Sequence, residues 1–204
     1  DSRIDPNCQI MPSGKTPLMY SIENYKADLF NIILSNPKID LDVVDSQKLT
    51  VFHYACKIGQ LDFIKEIFDK KSQIGGMSLH DYLNAQDENG FTPLHYACSS
   101  NNKEAIMFLL NMNVINSNQV DISIRDKNEM TPFDIYISNP SGIVDKEIYD
   151  SFLSENNQNK IETKANFQQI CENGHYKMVD FMLSNLLFHA NNNENKKKKM
   201  TLLH

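Results

Sequence analysis

The sequence lacks any apolar run of about 18 residues, so no segment is expected to span a membrane. Its opening stretch, Asp1 to Pro12, has neither the basic start nor the apolar middle of a secretory leader. Cysteine is scarce. Cys8, Cys56, Cys98 and Cys171 stand far apart with no CxxC pair, which fits a reducing, cytoplasmic setting. Glycine is sparse too, and the doublet Gly75-Gly76 lacks the Lys-Ser or Lys-Thr that completes a phosphate-binding loop. Basic residues are in deficit, 20 against 26 acidic, and the net charge of −6 weighs against nucleic acid as a partner. The remainder is ordinary globular composition, with abundant Asn and Gln interspersed among apolar runs.

What is present is self-similarity. Thr92-Pro93-Leu94-His95-Tyr96-Ala97-Cys98 is echoed by Thr50-Val51-Phe52-His53-Tyr54-Ala55-Cys56. Fainter copies are Thr16-Pro17-Leu18-Met19-Tyr20-Ser21-Ile22 and Thr131-Pro132-Phe133-Asp134-Ile135-Tyr136-Ile137. A fifth, Ala165 to Cys171, has lost the Thr-Pro opening, and Thr201-Leu202-Leu203-His204 reads as the start of a sixth. Successive copies begin 34, 42, 39, 34 and 36 residues apart, a basal period near 34 with loop insertions. Periods of this length mark stacked repeats, so a truncated array is expected.

The Thr-Pro-Leu-His motif, the period and a trailing apolar helix resemble the ankyrin repeat family over roughly residues 13–204. The resemblance implies an all-α solenoid of stacked antiparallel helix pairs with short β-hairpin or turn tips. About five repeats plus the start of a sixth are expected. Residues 1–12 would form an N-terminal extension, followed by repeats near 13–46, 47–88, 89–127, 128–161 and 162–197 and a partial one at 198–204.

Elementary chemistry supports the same unit. A threonine hydroxyl can cap the first turn of a helix, worth about 1 kcal/mol. Proline directly after Thr16, Thr92 and Thr131 costs nothing there, because its missing donor would have been unpaired. Gly59 and Gly174 fall nine residues after the motif start, where a left-handed residue ends a helix, and Asn101 tolerates that conformation. Tyr25 and Pro140 do not match, so the first and fourth repeats are expected to turn differently. Second helices are expected over Leu61–Phe68, Ala105–Leu109 and Ile148–Leu153 from one-face apolar spacing. Small residues Ala55, Cys56, Ala97 and Cys98 let neighbouring repeats approach, and no repeat can bury its apolar face alone. The turns Asp45 to Lys48, Asp87 to Gly90 and Asp126 to Glu129 join one repeat to the next.

In the resembling family, partner proteins bind along the concave surface made by tips and first helices. Two ladders fall there by register. Tyr20, Tyr54, Tyr96, Ile135 and Gln169 lie four residues after the motif start, and Lys15, Leu49, Phe91 and Met130 just before it. Both ladders are expected to face solvent, forming an apolar strip of the kind that marks binding surfaces. The candidate contact residues are Tyr20, Leu49, Tyr54, Glu88 in the Asp87 to Gly90 turn, Phe91, Tyr96, Met130 and Ile135. A tyrosine at this register can also simply pack on the neighbouring helix.

Several features look chemical without adding up to a site. His53 and His95 could be imagined as metal ligands with Cys56 and Cys98, but their spacing is that of the repeat, not of a zinc site. The resemblance instead implies that each histidine bonds the motif threonine and backbone. Periodic cysteines at core positions are poor nucleophiles. The insertion Lys70 to Tyr82 reads as passive loop expansion, and Lys196 to Lys199 as a solvated loop in preference to a nuclear or anionic-surface signal. The expectation is therefore a non-enzymatic module that binds a protein partner, with no cofactor, metal or small-molecule substrate. The alternatives are a regulatory or substrate-recruiting arm of a larger enzyme or channel, or an architectural part of a cytoskeletal or multi-subunit assembly.

Overall fold

Each of the four Thr-led motifs among the described residues starts a helix, and each does so with the same reciprocal cap. The Oγ1 atoms of Thr16, Thr50, Thr92 and Thr131 accept from the backbone N–H three residues on. The side chain at that third position accepts in return from the threonine N–H: Met19 Sδ at 3.4 Å, His53 Nδ1 at 3.0 Å, His95 Nδ1 at 3.1 Å and Asp134 Oδ2 at 3.0 Å. Three chemically different residues thus satisfy the same helix-end donor, because each carries a lone pair at the right reach.

The computed structural model describes residues 5–116, 120–139 and 145–152. The helices there are α1 Pro17–Glu23, α2 Ala27–Leu34, α3 Val51–Ile58, α4 Leu61–Gln73, α5 Leu79–Leu83, α6 Pro93–Ser99, α7 Lys103–Asn116, α8 Pro132–Ile137 and α9 Lys146–Phe152. The first helices α1, α3, α6 and α8 pack in file; α1, α3 and α6 each pack against the helix that follows, and α8 meets α9 through the rings of Phe133 and Phe152. Four repeats of the expected array are therefore visible. The expected fifth and sixth copies, with Gln169, Cys171, Gly174 and the Lys196 to Lys199 run, lie outside the described residues, as does Pro140.

The core runs through the stack as one continuous cluster. Ala55, Cys56, Ala97 and Cys98 are fully buried where α3 meets α6 and α6 meets α8, so small side chains do set the close approach. Aromatic rings bridge the second helices of neighbouring repeats, Phe30 to Phe63 at 4.4 Å and Phe68 to Phe108 at 5.8 Å, and Phe133 to Phe152 at 5.0 Å joins the two helices of the fourth. Each buried phenylalanine contributes about 1.5–3 kcal/mol.

The first helices α1, α3 and α6 end on left-handed residues. Gly59 has φ 77°, Asn101 φ 49° and, against expectation, Tyr25 φ 53°. The first repeat does not turn differently. Backbone bonds explain why: Lys26 N–H reaches Ser21 O at 2.8 Å just as Asn102 N–H reaches Ala97 O at 3.1 Å. This closure uses main-chain atoms alone, so tyrosine is forced into a conformation that a Cβ disfavours.

The tips, centred on residues 45–49, 87–91 and 126–130, are hydrogen-bonded turns, with no strand among the described residues beyond a single bridge between Ile10 and Lys15. In each, the aspartate N–H donates to the carbonyl four residues on: Asp45 to Leu49, Asp87 to Phe91 and Asp126 to Met130. The residue two before the threonine is left-handed throughout, with φ 69° at Gly14, 66° at Lys48, 82° at Gly90 and 63° at Glu129. Neighbouring tips are joined by backbone bonds from Ser46 N to Ser13 O at 3.0 Å, Glu88 N to Gln47 O at 2.9 Å and Lys127 N to Asn89 O at 2.9 Å. Before the first helix, Asn7 lies against the first repeat, its side chain pairing with Lys38 O and Asp40 N at 2.9 Å each.

The insertion Lys70 to Tyr82 is expected as a loop, but it includes the end of α4 and most of α5, and it is anchored. Lys71, whose side chain is buried, bridges to Asp42 Oδ1 and lies 5.0 Å above the Tyr82 ring. The other oxygen of Asp42 accepts from Met77 N at 2.7 Å. Gly76, with φ 104°, has no room for a side chain, since a Cβ would sit 2.2 Å from Asp42 Oδ2. Tyr82 and Leu83 of α5 then enter the core, Tyr82 against Phe52 at 5.6 Å.

Candidate interaction surface

The edge of the array that carries the tips is built around a buried aspartate at the start of each tip. Asp45 Oδ1 accepts from Gln47 N at 2.8 Å and Leu49 N at 2.9 Å. Asp87 Oδ1 accepts from Asn89 N and Phe91 N at 2.8 Å each, and Asp126 Oδ1 from Asn128 N and Met130 N at 2.8 Å each. One carboxylate oxygen thus folds each turn. The second oxygen reaches the following helix: Tyr54 Oη donates to Asp45 Oδ2 and Tyr96 Oη to Asp87 Oδ2, both at 2.7 Å. Burial, with the neighbouring carboxylate, pushes both phenols well above their ordinary range.

This network corrects the picture of two solvent-facing ladders. Leu49 is 3% exposed and Tyr54 5%. The tyrosine hydroxyl turns inward to the tip aspartate, and Leu49 is drawn under the turn by that aspartate's grip on its N–H. Phe91, Tyr96, Met130 and Ile135 are half-buried, while Tyr20, at 47%, and Glu88 are exposed. Tyr20 differs from its counterparts because Met11 stands where they have an aspartate, leaving no carboxylate for its hydroxyl. In the fourth repeat the situation is reversed: Asp126 is present, but Ile135 replaces the tyrosine.

Aromatic contacts draw the middle of the strip together. Phe91 stacks on His95 at 5.3 Å and meets Tyr96 edge-on at 5.4 Å. Lysines from the preceding repeat lie over both tyrosine rings, Lys15 at 5.4 Å from Tyr54 and Lys57 at 5.6 Å from Tyr96. Lys15 also pairs with Glu23 at 2.7 Å.

Behind the strip, the histidines act as joints. Thr50 N–H can only donate, so His53 Nδ1 must be the unprotonated nitrogen and the proton is assigned to Nε2. Nε2–H then donates to Ala85 O at 2.9 Å and Phe91 O at 3.2 Å, both in the chain leading into the next repeat. His95 repeats the pattern with Met130 O at 3.2 Å. Burial is the main reason the His53 pKa falls to about 4; it lowers His95 as well. Cys56 and Cys98 are buried, their thiols pushed up by desolvation.

The sequence reading placed Phe91 and Met130 on the strip but missed that their carbonyls receive these joints. It also missed the tip aspartates. A signal was present: Asp45 and Tyr54, like Asp87 and Tyr96, recur nine residues apart in consecutive repeats.

Comparison with known proteins agrees with this architecture. The family model "Ankyrin repeats (3 copies)" matches residues 2–78 and 77–145, and the chain belongs to the ankyrin repeat family. It is 33% identical over 108 residues to oxysterol-binding protein homolog 2 of Saccharomyces cerevisiae, covering 48% of this chain and 8% of that one. Over 122 residues it is 29% identical to the probable 26S proteasome regulatory subunit p28 of the same yeast, covering 58% of this chain and 47% of that one. Over 85 residues it is 36% identical to putative ankyrin repeat protein L371 of Acanthamoeba polyphaga mimivirus, covering 40% and 11%. The chain thus spans less than half the length of each of these relatives. Ankyrin repeats generally mediate protein–protein interaction. Among the described residues no helix is long and apolar enough to cross a membrane.

Proposed function

We propose that this chain is a non-catalytic module that binds a partner protein along the concave edge. Tyr20, Phe91, Tyr96, Met130 and Ile135 supply the contact strip, and Glu88 supplies a charge at the tip of residues 87–91. Leu49 and Tyr54 support that strip from beneath. The observation that carries the proposal is the recurrence, in the third and fourth repeats, of apolar side chains just before and four residues after the motif threonine (Phe91 and Met130, Tyr96 and Ile135), each partly open to solvent, with Tyr20 exposed at the matching place in the first. Surface of this type gains by being covered, and tyrosine and phenylalanine bring large contact area at little entropic cost. A reducing, cytoplasmic setting accompanies the proposal, in keeping with the buried free thiols of Cys56 and Cys98.

A second reading is an architectural or recruiting segment within a larger protein or assembly. It is favoured by the small fraction of its relatives' length that this chain matches, and by the printed name of the proteasome subunit relative.

The test uses exposed positions that the fold does not need. Extracts from the source cells are passed over the immobilised chain, its Tyr20→Asp variant and its Glu88→Arg variant. Proteins held by the parent and lost by either variant, with circular dichroism unchanged, support the proposal. Identical retention by all three, extended to a Phe91→Ala variant of equal helicity, sinks it.

A further inference from the structure

The tips that begin at Asp87 and Asp126 carry an asparagine at the same place with different successors. Asn89 and Asn128 each lie three residues before the motif threonine, each gives its N–H to the tip aspartate at 2.8 Å, and each is exposed. The next residue is left-handed in both, Gly90 at φ 82° and Glu129 at φ 63°. Two differences remain. Gly90 has no Cβ to crowd its own nitrogen, whereas Glu129 has one. Asn128 Nδ2 lies 3.5 Å from Asp126 Oδ2, whereas the Asn89 side-chain amide makes no hydrogen bond to the described residues.

We propose that Asn89-Gly90 is a site of spontaneous deamidation and isoaspartate formation, from which the matching Asn128-Glu129 is protected. The Gly90 nitrogen attacks Cγ of Asn89 and gives up its proton. The bond from Cγ to the side-chain nitrogen breaks, ammonia leaves with that proton, and a five-membered succinimide closes. Water then opens the ring. Attack at the former side-chain carbonyl yields aspartate; attack at the former main-chain carbonyl yields isoaspartate. The balance is one water in and one ammonia out, with no redox change.

The tip sets the rate. Gly90 N–H donates to Asp87 O at 3.0 Å, so this bond must open before the nitrogen can attack. Gln86 Nε2 restrains that opening by holding Gly90 O at 2.9 Å and Arg125 O at 3.2 Å. The product matters because Asn89 O accepts from Lys127 N, the bond between these two tips. Isoaspartate converts that carbonyl into a free carboxylate beside Asp87 and Glu88, where like charges repel.

The intact protein is aged at neutral pH and moderate warmth, then digested and analysed by chromatography and mass spectrometry. The peptide containing Asn89 is expected to gain the amide-to-acid mass and split into two species, several-fold faster than the Asn128 peptide. Asn89→Gln abolishes the change, Glu129→Gly brings Asn128 up to a comparable rate, and Gln86→Ala accelerates Asn89 several-fold with helicity intact. In the aged protein, amide exchange at Lys127 quickens. An unchanged Asn89 peptide, or equal conversion of Asn89 and Asn128 in the parent, overturns the proposal. So does a Glu129→Gly variant in which Asn128 stays inert.

Discussion

Tyr54 Oη donates to Asp45 Oδ2 at 2.7 Å, and through that bond a side chain at the register proposed for binding becomes part of a turn. The aspartate already folds the tip with its other oxygen, so tyrosine and tip stand or fall together. Tyr54→Phe keeps the ring and removes only the donor to a buried carboxylate. The expected cost is about 1–3 kcal/mol, read as a lower urea midpoint. Partner binding should change little at temperatures where the variant is folded. An unchanged midpoint would show that the bond has no net worth.

Left-handed side chains offer the opposite sign. Tyr25 at φ 53° and Lys48 at φ 66° hold conformations that glycine adopts freely, and both side chains are exposed. Tyr25→Gly and Lys48→Gly should each stabilise the array by about 0.5–1 kcal/mol, the strain relieved slightly exceeding the added chain entropy. Paired urea titrations against the parent decide this, and a loss of stability in both variants would contradict it.

Acid should loosen the joints between repeats before it protonates carboxylates. His53, with its pKa at about 4 when folded and near 6.5 when unfolded, is neutral in the fold while the unfolded chain takes up a proton. The stability it supports is complete above pH 6.5 and declines as pH falls toward 4, where the folded state also protonates. That decline amounts to about 3 kcal/mol for His53, and His95, lowered as well, adds to it in the same direction. Denaturation midpoints measured between pH 6.5 and 5 should therefore fall steadily. His53→Met, which copies the residue that caps the first repeat, should be less stable at neutral pH and show a shallower slope.

The anchored insertion gives a fourth expectation. Lys71→Met strands the Asp42 carboxylate with only the Met77 amide, and should cost about 2–4 kcal/mol. Combining it with Asp42→Leu should recover part of that loss, since a matched apolar pair replaces a matched ionic one. A double-mutant cycle with no coupling would show that the contact is ornamental.

What could be read from the sequence was chemistry that closes within a few residues. Thr50 and His53 announce a cap because donor and acceptor lie three positions apart, and their periodic return announced the stack. Tyr25 was misread because main-chain bonds from Lys26 to Ser21 dictate its conformation whatever its side chain. Burial of Leu49 and Tyr54 depends on Asp45, whose role emerges only when the turn brings it back over the helix. Asp42 and Lys71 lie 29 residues apart, with α3 and most of α4 between them, and no local pattern links them.

Neighbouring tips are tied by amide-to-carbonyl bonds from Ser46 to Ser13, Glu88 to Gln47 and Lys127 to Asn89. Since every amino acid but proline can supply such a bond, the outward side chains at these points are nearly released from the task of keeping neighbours in line. Evolution can rewrite those letters to suit a new ligand while the spine stays upright, which makes the tips the place where lineages should diverge fastest in what they recognise.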